Sequence, residues 1–304
     1  PRGPGTGPVS RLRVRAQAPA KINRELRVGG RRPDGFHEIF SRFTSIDLAD
    51  AIEVEPGDAL ALDCVGLPVP TGAKNLVLQA ARALADSLRI EPRARIRLEK
   101  RIPVGAGLGG GSSDAAAALR LLRQLWKPDL PDEALASLAP ALGSDVAYFL
   151  VGGEADVAGR GERVTRRADG PARELLLLIP PFPMSTRDVF AEHARRSGGL
   201  GQVPRHLEVE ESGRFFGPNE LALAVLGVNG AMRKYLESAA EAAPESSVSG
   251  SGSAIVLFGA AEEAGSRLAQ RHPEASILRA RTLGHDEYRA RTSPPGGSQW
   301  RSPR

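Results

Sequence analysis

The chain contains a single cysteine, Cys64, in 304 residues, which excludes a disulfide framework. Its five histidines are scattered without a closely spaced pair, which argues against a zinc site. No apolar run reaches the length of a membrane span; the longest, around residues 175–179, stops at Pro180-Pro181. Residues 1–10 are rich in proline and glycine and lack the apolar centre of a signal peptide, so they read as a disordered tail and a reducing, cytoplasmic location is expected. Lysine is confined to Lys21, Lys74, Lys100, Lys127 and Lys234, and no basic block is interleaved with aromatic residues. The net charge of +5 and the pI near 9.8 therefore come from arginines spread along the chain, and they suit small anionic substrates better than nucleic acid. The length favours two domains, with the joint expected at the composition change around Asp169-Gly170-Pro171.

Glycine, by contrast, is concentrated. The stretch Pro103-Val104-Gly105-Ala106-Gly107-Leu108-Gly109-Gly110-Gly111-Ser112-Ser113-Asp114 places five glycines among seven residues. Each glycine loses more backbone freedom on folding than any other residue, so something here must need bare backbone. Residues 94–102 alternate apolar and charged like a half-exposed strand, and residues 115–126 carry alanine and leucine at helical spacing. The order is strand, glycine loop, helix. Ser112, Ser113 and Asp114 are candidate N-caps, and the unpaired amides of the helix start suit a phosphate. Gly105, Gly107 and Gly110 also fit G-x-G-x-x-G, but the amphipathic strand before them is unlike the buried first strand of a dinucleotide fold. No Lys-Ser/Thr pair follows the last glycine, so the loop is not a Walker A motif.

Along the rest of the chain, residues 11–17 and 18–28 read as two successive strands, residues 36–40 as a third, and residues 46–55 and 59–64 as a strand pair. Asn75 caps an expected helix over residues 76–88. Lys21 is read either as a solvated edge charge or as a catalytic cation, and Phe36 with His37 either as packing or as a clamp for a flat ring. Asp145 is either an N-cap or a carboxylate needing a partner such as Lys21 to stay ionised. Residues 155–158 and 174–179 read as strands, 187–196, 219–226 and 231–242 as helices, 197–203 as a mobile loop and 246–253 as a second Gly/Ser loop. That loop runs into a β-α-β unit over residues 254–280, and residues 293–304 read as loose.

Four short segments in this order, Pro19-Ala20-Lys21-Ile22-Asn23, residues 103–117, Gly143-Ser144-Asp145-Val146 and Ser249-Gly250-Ser251-Gly252, resemble the motifs of the GHMP small-molecule kinases. Pro33-Asp34-Gly35-Phe36-His37 and the long Gly109-Gly110-Gly111-Ser112-Ser113-Asp114 variant are similar to the branch acting on a cytidine diphosphate sugar alcohol in isoprenoid precursor synthesis. The likeness covers roughly residues 11–280. It implies an α+β, two-lobed fold: a ribosomal-S5-like, ATP-binding lobe over residues 11–170 and a ferredoxin-like substrate lobe over residues 171–290, with tails at 1–10 and 291–304. It implies ATP phosphates over Pro103, Val104, Gly105, Ala106, Gly107, Leu108, Gly109, Gly110, Gly111, Ser112 and Ser113, with Asn75 and Lys100 near the adenine and a magnesium ion on the triphosphate. Lys21 and Asp145 match the catalytic pair, while Asn23, Phe36, His37, Asp145, Thr186 and Phe190 fall where the family holds its substrate. Phe36 stands where tyrosine is usual, and Asn219-Glu220-Leu221-Ala222 replaces a more acidic pattern. Another kinase of the family and a non-catalytic nucleotide-binding relative are the alternatives, and monomer or homodimer is left open.

Overall fold

The structure, a computed structural model, describes residues 13–198 and 214–293. Two long strands, β1 (Val14–Arg31) and β2 (His37–Glu55), form its spine as an antiparallel pair. The sequence suggested that each was broken. Instead each is continuous, and the irregularity is absorbed by register shifts, one at Pro19/Lys21, where a proline cannot donate to the ladder, and another at Asn23/Glu25. β3 (Ala61–Gly66) does not pair with β2 as expected; β4 (Arg95–Lys100) lies between them, antiparallel to β2 and parallel to β3. On the other half of β2 sits β5 (Glu154–Gly159), followed by β6 (Arg163–Arg166).

One face of this sheet is covered by α1 (Leu76–Leu88), α2 (Gly110–Trp126), α3 (Asp132–Leu142) and α4 (Val146–Phe149). Ala115 to Ala118, all at most 2% exposed, bring α2 close against the strands, and Leu119, Leu121 and Leu122 fill the space beside them. Asn75 does cap α1: its Oδ1 accepts the amide of Val77 at 2.9 Å.

The second half consists of β7 (Glu174–Ile179), α5 (Thr186–Ser197), α6 (Ala222–Val228), α7 (Met232–Ala242), β8 (Glu245–Val248), β9 (Ile255–Phe258), α8 (Ala264–Arg271) and β10 (Ser276–Leu283). Its strand order, β10-β7-β9-β8, makes β9-α8-β10 a split β-α-β unit with β7 between the parallel strands, the ferredoxin-like arrangement. Residues 246–248, expected in a loop, belong to β8, and α6 starts at Ala222 because Asn219 turns its Oδ1 onto the amide of Leu221. The expected break after residue 290 is also corrected. α9 (His285–Thr292) returns to the first half, where the Tyr288 hydroxyl donates to the Phe149 carbonyl at 2.6 Å. Most of the loop expected over residues 197–203, and the two expected tails from residue 294 and over 1–10, lie outside the described residues.

Thr282 and Leu283 of β10 pair with Ile46 and Ser45 of β2, joining the halves edge to edge. Behind that seam Ala20, Ile22, Ile102 and Leu108 pack with Leu175, Leu177 and Val256. Each such large apolar side chain contributes roughly 1.5–3 kcal/mol on burial, so the seam is a core and not a sliding contact.

Candidate active site

The glycine stretch lies in this seam, between β4 and α2. Gly107 has φ +76° and a Cβ there would fall 2.0 Å from the Ser249 carbonyl oxygen, while at Gly109 (φ +73°) it would meet the Phe149 ring at 2.7 Å. The bare backbone therefore serves close approach between protein segments as well as the left-handed conformation. Ser112, Ser113 and Asp114 are not caps. The N-cap of α2 is Gly109, with no side-chain cap, and all three residues lie inside the helix, Ser112 and Ser113 in its first turn and Asp114 just beyond it. Ser113 Oγ donates to the Pro19 carbonyl at 2.7 Å, and the Asp114 carboxylate turns inward to Lys100. Among the described residues no side chain caps the first amides of α2, which leaves the positive end of a 17-residue helix to an anion.

Beside that helix mouth lies Lys21, 4% exposed, with its backbone amide on the Leu108 carbonyl at 3.0 Å. Its ammonium donates to Asn23 Oδ1 at 2.6 Å, sits 4.4 Å from the centroid of the Phe43 ring, and lies 3.6 Å from Asp145 Oδ2. Burial pulls the Lys21 pKa below the usual lysine range, against the opposing pull of Asp145. Asp145 heads the short helix α4, whose Phe149 packs against Gly109, so the turn that presents the carboxylate is keyed to the glycine loop. Its side chain keeps 24% of its surface exposed, so the carboxylate remains accessible to a ligand.

Ser249 ties the pieces together. Its hydroxyl accepts the Asn23 amide at 3.3 Å and donates to the Gly107 carbonyl at 3.0 Å. Asn219 donates through Nδ2 to the carbonyls of Val248 and Gly250, both at 2.9 Å, and so holds the second Gly/Ser loop over Lys21. Neither Ser249 nor Asn219 was singled out as a site residue from sequence; the Gly/Ser run at 249–253 was the available signal.

The remaining candidates divide. Thr186 Oγ1 lies 3.0 Å from Ser251 Oγ, next to the Lys21 cluster. His37 and Phe190 are stacked at 5.6 Å, a contact from β2 to α5 across the halves, and His37 Nδ1 faces the Gly29 carbonyl at 3.2 Å. Phe36 is 46% exposed, with the Arg160 guanidinium 4.9 Å from its ring, a partner that no local sequence signal indicated. Pro103 and Val104 begin the loop, with Val104 54% exposed. Two expected adenine contacts are engaged elsewhere. Asn75 has Oδ1 on Val77 and Nδ2 on the Pro70 carbonyl, and the Lys100 ammonium is buried between Asp50 and Asp114. Capping takes one lone pair of the Asn75 Oδ1 and one hydrogen of its Nδ2, while charge burial occupies the Lys100 ammonium.

Residues 75–153 match the family described as the GHMP kinases N-terminal domain. The chain is 46% identical over 179 residues to the 4-diphosphocytidyl-2-C-methyl-D-erythritol kinase of Pelotomaculum thermopropionicum, an alignment spanning 58% of this chain but only 62% of that relative. It is 42% identical over 228 residues, 73% of each chain, to the kinase of the same name from Hyphomonas neptunium. A crystal structure of 4-(cytidine 5'-diphospho)-2C-methyl-D-erythritol kinase superposes with a TM-score of 0.72 at 32% identity, covering 89% of this chain and 99% of that one. An uncapped helix mouth beside a buried lysine and an aspartate, on this fold and with these relatives, places the chain in the GHMP kinase family, among the 4-diphosphocytidyl-2-C-methyl-D-erythritol kinases.

Proposed function

We propose that the chain transfers the γ-phosphoryl group of ATP to the 2-hydroxyl of 4-diphosphocytidyl-2-C-methyl-D-erythritol. The observation that carries this reading is the Lys21–Asp145 pair, 3.6 Å apart beside the bare amides of α2. The triphosphate lies over residues 103–113, its charge met by the amides and dipole of α2. The substrate hydroxyl oxygen attacks the γ-phosphorus, its proton passes to Asp145, and the bond to the β–γ bridging oxygen breaks to release ADP. Lys21, oriented by Asn23 and paired with Asp145, offsets the negative charge that builds on the transferring group. Asn23, His37, Thr186 and Phe190 line the side on which the cytidine-bearing substrate is bound, with Phe36 and Phe190 offering ring faces to the cytosine.

Among the described residues no three His, Cys, Asp or Glu side chains gather to hold a metal. The single carboxylate of Asp145 beside the mouth of α2 suits magnesium, which binds through one or two carboxylates and substrate phosphates rather than in an all-protein cage. Asp145, and the Ser112 hydroxyl near Gly143, would hold it there. When bound it supplies charge neutralisation to the triphosphate. The joint between the ATP-binding and substrate lobes falls at residues 169–171. No helix among the described residues is long and apolar enough to cross a membrane.

A coupled ADP-release assay over a panel of alcohols tests the proposal. ADP release should depend on the cytidine diphosphate substrate and fall sharply with methylerythritol phosphate lacking the cytidine. Equal rates on mevalonate or homoserine, or ATP binding without transfer to any member, would overturn it.

A further inference from the structure

Lys21 and Asn23 lie on one side of β1; Ile22, between them, pairs with Thr44 of β2 and faces the other way. On that other side, under the segment leading from β6 into β7, is a cavity of about 200 Å³ that includes Thr44, Arg24, Arg173 and Arg214. It takes no part in the site described above.

Its polar groups are unevenly matched. Arg24 directs Nε to the Phe215 carbonyl at 2.9 Å and Nη1 to Glu154 at 2.7 Å, which leaves Nη2 without a partner among the described residues. The Arg173 guanidinium lies 5.9 Å from the Phe258 ring and has no carboxylate partner among the described residues. Arg24 lies 4.5 Å from the Phe215 ring, and the two rings are stacked at 4.4 Å, so a pair of aromatic faces sits beside both guanidiniums. The acids that line the cavity are already engaged. Glu154 is held by Arg24 and, at 3.6 Å, by Arg42, while Asp169 accepts the His285 amide at 2.8 Å and meets His285 Nδ1 at 2.6 Å. Thr44 is 4% exposed, and its Oγ1 has no hydrogen-bond partner among the described residues. A buried hydroxyl is seldom left so, because desolvation without a bond costs about 1–3 kcal/mol.

We infer that this cavity is a second anion site, built for a phosphate or diphosphate group. Guanidinium forks suit phosphate oxygens, the Thr44 hydroxyl supplies a further donor, and the volume falls below the roughly 300 Å³ of pockets that take drug-sized ligands. An occupant links β1 through Arg24, β2 through Thr44 and the joint segment through Arg173. It therefore straps the two halves of the sheet from the side remote from Lys21.

Isothermal titration of the full chain with pyrophosphate, and separately with inorganic phosphate, in the presence of a saturating non-hydrolysable ATP analogue tests this. One saturable site per chain is expected. Arg173→Gln should weaken it at least about tenfold and Thr44→Val about threefold, whereas Lys21→Met leaves it within about twofold. Tighter binding of pyrophosphate identifies a diphosphate group as the occupant, and equal binding a single phosphate. The inference fails if neither anion saturates, or if Lys21→Met abolishes binding that Arg173→Gln leaves intact. Because both informative substitutions lie outside the Lys21 cluster, the result stands apart from the kinase reading.

Discussion

Lys21 and Lys100 are about equally buried, 4% and 3% exposed, yet they are held in opposite ways. Lys21 has one carboxylate, at 3.6 Å and partly open to solvent, and burial wins: its pKa is lowered. Lys100 faces the same desolvation, but Asp50 and Asp114, both buried and both hydrogen-bonded to it, together outweigh that and raise its pKa. Two acids around one ammonium leave one charge too many. Burial accordingly pushes Asp114 up to about 8 against the pull of Lys100, and Asp114 Oδ1 has no hydrogen-bond partner among the described residues. Asp50 also accepts the amide of Ile102 at 2.8 Å, so the Lys100 cluster pins the start of the glycine loop to β2 and α2. The difference teaches how to tell two buried lysines apart: the saturated one supports the loop, and the one short of partners is left to meet a ligand.

Substitutions sharpen that contrast. Lys21→Met or Asp145→Asn should lower turnover by about 10²–10⁴-fold while the melting temperature stays near wild type, measured by steady-state kinetics and calorimetry on the same preparations. Lys100→Met should do the reverse first. Removing one partner of a buried ionic cluster costs about 3–5 kcal/mol, read from urea unfolding, because Asp50 and Asp114 are left facing each other. Equal losses of stability in the Lys21 and Lys100 variants would erase the distinction.

A smaller effect concerns pH. With a folded-state pKa near 8 against an ordinary 3.8, Asp114 holds its proton in the native state after the unfolded chain has lost it. Its contribution to stability is therefore present in full below about pH 4 and declines as pH rises toward 8. Asp114→Asn mimics the protonated acid and should flatten the stability profile across that window; an unchanged slope in pH-dependent unfolding would assign the titration elsewhere. Smallest is Ser249→Ala, expected to cost about 1 kcal/mol through its two bonds, with KM and kcat changing less than in the Lys21 variant.

Local pattern made much of this legible. The alternation over residues 94–102 marked β4, Asn75 marked the start of α1, and the four short motifs marked segments that the fold brings together around Lys21. What stayed hidden was set by distant partners. Nothing near residue 61 says that β4 will intervene between β3 and β2, and nothing near Phe36 foretells Arg160. Ser112 and Asp114 look like caps because their side chains favour caps, but Gly109 in the left-handed region starts the helix earlier and diverts Asp114 to Lys100. α9 was missed because His285, Tyr288 and Thr292 are its only buried residues, too sparse an apolar stripe to stand out.

On the proposed mechanism Lys21 and Asp145 act as one unit on the transferring phosphoryl group. A double-mutant cycle measures it directly: turnover of Lys21→Met, Asp145→Asn and the combined variant, with ATP and the cytidine diphosphate substrate both saturating. The account predicts that the double variant is no slower than the slower single one, within about threefold. Losses that multiply, or near-wild-type turnover in either single variant, would contradict it.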